Sequence, residues 1–395
     1  MAGTIINDGT FKLASTNSLT RLMLAGDTTL DGTGETVLGG IYNYIGSSAT
    51  NKTLTIGADQ TLRGGGLIGS SSYGEVDVVN KGTVVADNGT LYTYGSTFNN
   101  AAGEIQVSSG AALYVQKGML NGGSISGAGT LTGSGTFQDV HYSGGLNVSG
   151  GTIQGGHIDD TLTVTNGGYV SMAGTITNDG TFKLASTNSL TRLMLAGDTT
   201  LDGTGETVLG GIYNYIGSST TNKTLTIGAD QTLRGGGLIG SSSYGEVDVV
   251  NKGTVVADNG TLYTYGSTFN NAAGEIQVSS GAALYVQKGM LNGGSISGAG
   301  TLTGSGTFQD VHYSGGLNVS GGTIQGGHID DTLTVTNGGY VSMAGTITND
   351  GTFKMAGANS TTLLMLAGDT TLDGTGETVL AESTTTSAAV LQVTL

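Results

Sequence analysis

Three carboxylates within nine residues, Asp27, Asp31 and Glu35 around the Gly32-Thr33-Gly34 turn, are hard oxygen donors of the kind Ca²⁺ takes. The group recurs as Asp198, Asp202 and Glu206 and again as Asp369, Asp373 and Glu377. Its spacing fits neither an EF-hand loop nor the glycine-rich nonapeptide of calcium-binding β-rolls. The expectation is a solvated acidic turn, with calcium as the one cofactor candidate. His141 and His157 recur as His312 and His328, and His157 is followed by Asp159 and Asp160. A hydrolase needs a nucleophile beside its base and a third group to orient that base. The chain has no G-x-S-x-G elbow, no Walker sequence and no H-E-x-x-H. β-Helical polysaccharide lyases and hydrolases work with carboxylates and basic residues, but arginine is confined to Arg21, Arg63, Arg192 and Arg234. A site duplicated almost without change also builds no single cleft. These histidines therefore read as polar residues on an exposed rung, and the chain as no enzyme.

Two tyrosine pairs, Tyr42 with Tyr44 and Tyr92 with Tyr94, alternate, so each pair shares one face of its strand. Outward rings can hold the faces of sugars; inward rings pack and need a satisfied hydroxyl, and packing is the expectation. N-x-S/T sequons at Asn51, Asn88 and Asn147 are expected by chance in a chain this rich in Asn and Thr.

The elements that position these residues follow from composition and period. Glycine accounts for 74 of 395 residues, while Pro, Cys and Trp are absent and charged residues make up 11%. Proline has no N–H to give a ladder, so a chain made of paired strands selects against it. A hydrophobic content of 36% is too high for a disordered linker and is enough to bury a core. The formal net charge of −16 disfavours nucleic acid and anionic lipid as partners. No apolar run approaches the ~20 residues of a membrane-spanning helix, so membrane insertion is not expected.

Met1-Ala2-Gly3-Thr4-Ile5 returns at Met172 and, after an equal interval, at Met343. Copies one and two differ only at Ile6 against Thr177 and Ala49 against Thr220. The units are 1–171, 172–342 and a partial, diverging third, 343–395. Since the same methionine lies inside the repeat, the chain is expected to be a segment of a longer array; no signal peptide is visible.

Within each unit a weaker period of about 20 residues relates short alternating strands such as Ile105-Gln106-Val107, Ser124-Ile125-Ser126 and Leu146-Asn147-Val148. Asn and Gly fill the corners between them, as in Asn80-Lys81-Gly82 and Asn121-Gly122-Gly123, because both tolerate left-handed backbone. A sandwich closes after roughly 100 residues, whereas this pattern runs on across the unit boundary. It predicts an all-β solenoid with two or three strands per rung, corner asparagines bonded along the axis, and eight rungs or roughly 38 Å per unit.

Gly103-Glu104-Ile105-Gln106-Val107 leading to Gly110-Ala111-Ala112-Leu113-Tyr114-Val115 resembles the passenger regions of autotransporters and of filamentous-haemagglutinin-type adhesins. The resemblance implies a right-handed parallel β-helix, export to the cell surface or medium, and a role in adhesion or matrix formation. The expected function is a structural stalk or fibre segment of a surface adhesin, since near-identical copies change length and not chemistry. A self-assembling extracellular filament is the alternative, joined through Val390, Leu391, Val393 and Leu395 in the largely apolar last segment. A carbohydrate-binding tyrosine face is a third. Expected partners are accordingly further copies of the chain, other surface proteins, or glycans.

Overall fold

The computed structural model describes residues 1–48, 51–220 and 222–380 and the backbone of Val390–Val393. Every regular element among them is a strand. Close packing groups the chain into two units, Met1–Lys183 and Leu184–Leu395.

In the first unit a turn consists of three short strands. Glu104–Val107 forms one side, and Ala112–Asn121 bends between Val115 and Met119 to supply the other two. The next turn, Ser124–Gly127, Thr130–Gly133 and Thr136–Gln138, lies on these three in parallel register. Alternation sends every second residue inward, and the inward residues stack into three ladders. Ile105, Ile125, Tyr142 and Ile158 form one, Leu113, Leu131, Val148 and Val164 the second, and Leu120, Phe137, Ile153 and Met172 the third. All twelve are 1% exposed or less. Each such side chain contributes about 1.5–3 kcal/mol by leaving water. The unit is a parallel β-solenoid.

Corners are set by two devices. Gly123 has φ +66°, and a Cβ there would lie 2.0 Å from the Asn100 carbonyl oxygen, so only glycine fits. Buried Asn80 donates from Nδ2 to Asn100 Oδ1 at 2.7 Å, and Asn100 in turn donates to the carbonyls of Gly122 and Ser124 on the following rung. The expected asparagine ladder along the axis is thus present at this corner.

One ladder can be followed through the unit from Thr4 to Thr29, Thr55, Val79, Asn99, Asn121, Gln138, Gln154 and Ala173. The rungs are unequal: the longest step, Thr29 to Thr55, and the shortest, Gln138 to Gln154, lie on either side of the expected length. The expectation of eight turns per repeat needs correction. Ile5 belongs to the side this ladder follows, yet its equivalent one repeat on, Ile176, pairs with Gly156 on the adjacent side. The ladder of that second side leads back from Ile158 through Tyr142, Ile125, Ile105, Val84, Leu62 and Thr36 to Phe11. The repeat is therefore eight turns and one further side, a third of a turn more than eight.

The second unit is built in the same way. Ile276, Ile296, Tyr313 and Ile329 form one buried ladder, and Leu284, Leu302, Val319 and Val335 another. The same offset appears inside it: Leu193 heads a ladder through Ile216, Ile239 and Thr264, while its equivalent Leu364 lies against Val341 on a different side. At its far end the backbone of Val390–Val393 pairs in parallel with Leu363–Leu366.

Candidate functional site

The outward residues carry whatever chemistry the solenoid has, and the register decides which of them meet. Tyr142 and Ile158 point inward, so their neighbours His141 and His157 point out. His141 is paired with His157 in the ladder, one rung above the other, with ring centroids 5.2 Å apart and planes tilted by 39°. Asp159 stands two positions beyond His157 on the same surface. Its carboxylate lies 3.3 Å from His157 Nε2 and 3.9 Å from His141 Nδ1. Asp179, one rung further, reaches His157 Nε2 at 2.8 Å. Asp160 turns away and accepts the Gly144 N–H at 3.0 Å.

The second unit repeats the cluster as His312, His328 and Asp330, with distances of 3.4 and 3.7 Å from the carboxylate to the two rings. Asp350 lies 2.9 Å from His328 Nε2. The Thr375 N–H and hydroxyl also donate to Asp350, and these bonds, with His328, hold its carboxyl below the usual carboxylate range. Among the described residues these two are the groups in which three metal-ligating side chains gather their donor atoms within 4.8 Å. Ser124 stands in register with His141 on the preceding rung, and Ser295 with His312. The donors that gather in each cluster are two imidazoles and a carboxylate, groups that ligate metals.

The sequence singles out these histidines but not their meeting. His141 and His157 are one turn apart, and Asp179 follows one turn after His157. That matching of residue spacing to turn length is the available signal.

Asp27, Asp31 and Glu35 are not brought together. Asp27 accepts the Thr53 N–H on the next rung at 3.0 Å. Asp31 ends the strand Thr28–Asp31, and Glu35 begins the next side, where it accepts from the Thr10 hydroxyl and pairs with Arg63 at 3.5 Å. Arg63 also bridges to Asp87 at 2.7 Å. In the later copies Asp198 accepts the Thr224 N–H, Asp373 the Gly374 N–H, and Glu377 the Thr352 hydroxyl.

The tyrosines differ from the packing expected of them. Leu91 and Thr93 take the inward positions, so Tyr92 and Tyr94 stand outside, partly exposed. Tyr92 stacks on Tyr114 of the next rung, centroids 5.1 Å apart, and Lys117 lies over the Tyr94 ring and pairs with Glu75. Tyr42 is 43% exposed, and Tyr44 meets Tyr73 edge to face under Arg21. In the second unit Tyr285, Tyr340 and small residues that include Gly304, Gly321 and Ser320 line an outer groove of about 400 Å³. Of the end-assembly candidates, Val390, Leu391 and Val393 lie in the paired backbone segment, and Leu395 is outside the described residues. Comparison with family models, curated proteins and solved structures finds no match to the chain.

Proposed function

We propose that the chain is a non-enzymatic structural segment of an exported surface fibre, a stalk that holds a binding element away from the cell. The observation that supports this most is the ladder that runs unbroken through each unit. Each rung is stabilised mainly by its neighbours, so rungs add length without needing a new core. Eight and a third turns at ~4.8 Å extend the first repeat by about 40 Å. Other surface proteins or further copies of the chain are its partners. The test is antibody labelling and protease shaving of intact source cells. Labelling of unbroken cells, lost after shaving, supports the assignment; a signal seen only after permeabilisation overturns it.

A second function has its own observation, the groove between Tyr285 and Tyr340. Two aromatic rings lining a groove with small and hydroxyl-bearing residues suit the flat face of a sugar ring. Replacing Tyr285 and Tyr340, together with their equivalents Tyr114 and Tyr169 at the matching groove of the first unit, with Ala should abolish retention on immobilised cell-surface glycans; unchanged retention would remove this second role.

A further inference from the structure

We propose that His141, His157 and Asp159, and equally His312, His328 and Asp330, each bind one divalent transition-metal ion of the zinc class. The donor set is two imidazole nitrogens and a carboxylate. Imidazole suits Zn²⁺, Co²⁺, Ni²⁺ and Cu²⁺, whereas Ca²⁺ and Mg²⁺ take oxygen. Distance supports the same class. Tetrahedral ligands about 2.05 Å from zinc lie about 3.3–3.4 Å from each other. The carboxylate-to-ring distances are 3.3 and 3.9 Å in the first cluster and 3.4 and 3.7 Å in the second. All three donor atoms of each cluster lie within 4.8 Å of one another, and binding an ion draws them in to that spacing by side-chain rotation.

The backbone supplies the positioning. His141 and His157 are held one rung apart by ladder pairing, and each flanks a fully buried inward residue. Neither histidine backbone can drift without breaking a core ladder. His141 is 58% exposed and Asp159 45%, so an ion can enter and water can fill the fourth position. Asp179 shares the His157 nitrogen at 2.8 Å, a hydrogen-bonding distance. Binding through that nitrogen therefore replaces its bond to Asp179 with the bond to the ion.

The full chain without an affinity tag, stripped with a chelator, is titrated with Zn²⁺ by calorimetry and with Co²⁺ by visible absorption. The expected result is two ions per chain, ligand-field bands typical of nitrogen and oxygen ligands, and no displacement by excess Ca²⁺. His157→Gln should remove one ion, and His157→Gln with His328→Gln both. Far-UV circular dichroism and melting of the variants should match the parent, since the replaced rings lie outside the core. No Co²⁺ bands at sub-millimolar ion, or a stoichiometry that survives the double substitution, overturns the proposal. Displacement of the bound ion by Ca²⁺ would do the same.

Discussion

Asn100 ties three successive turns together, and its removal offers the most direct test of the corner. The side chain is fully buried; Oδ1 accepts from Asn80 at 2.7 Å, and Nδ2 donates to Gly122 and Ser124 at 3.3 and 3.2 Å. Asn100→Ala cuts three hydrogen bonds worth about 1 kcal/mol each, a loss of about 3 kcal/mol. At about 1.4 kcal/mol per tenfold, amide exchange near the corner should quicken about a hundredfold. Asn100→Asp keeps the acceptor but turns a buried anion toward two carbonyls, so it should cost more than alanine. Asn88→Ala is the control, because exposed Asn88 makes one long bond of 3.4 Å and should change little, within about 0.5 kcal/mol. Hydrogen exchange read by mass spectrometry suits this chain. The substituted peptide differs in mass from its twin around Asn271, which keeps the same bonds to Asn251, Gly293 and Ser295 and serves as internal reference. Equal protection around the substituted corner and around Asn271 would refute the account of the corner.

Gly123→Ala should destabilise far more than Gly89→Ala in thermal melts. Both positions have positive φ, costing about 1–2 kcal/mol for alanine, but only Gly123 adds a backbone clash, since nothing lies within 4 Å of a Cβ at Gly89. The buried Tyr142 and Tyr313 hydroxyls have no partner among the described residues, so Tyr→Phe at both should raise stability by about 1 kcal/mol per site in urea unfolding. Burial pushes both phenols up, which means the folded chain keeps protons that the unfolded chain releases near pH 10. Stability should fall as pH rises above about 10, and the double Phe variant should lose most of that fall. Chelating Ca²⁺ should leave the melting temperature unchanged, because Asp27 and Glu35 serve separate backbone and side-chain partners and Asp31 ends its own strand; a large calcium-specific drop would contradict this.

Alternation in Ile105-Gln106-Val107 and Leu113-Tyr114-Val115 made the strands and their inward faces legible, and a regular spacing made stacking legible. Orientation was harder where polarity misleads. In Leu91-Tyr92-Thr93-Tyr94 the tyrosines are larger and more apolar than Thr93. Yet Leu91 fixes the phase, so Thr93 is buried, its hydroxyl without a partner among the described residues, and the rings face water. The histidine cluster was hidden for a different reason. Its members come from turns of unequal length, and only the actual register, His141 on His157 and Ile158 on Asn178, shows that they converge.

The extra third of a turn in each repeat constrains what the sequence is allowed to be. Ile5 and its copy Ile176 occupy different sides of one unit, as do Leu193 and Leu364 in the other. A single stretch of sequence must therefore satisfy more than one side, and the three walls are interchangeable. Gene duplication needs only to preserve a whole number of strands, not a whole number of coils, for every inward residue to stay inward. In an array obeying this rule any given outward group advances by one wall per copy and returns to its starting wall after three. A group borne once per repeat therefore changes its wall, and with it its neighbours, from one copy to the next.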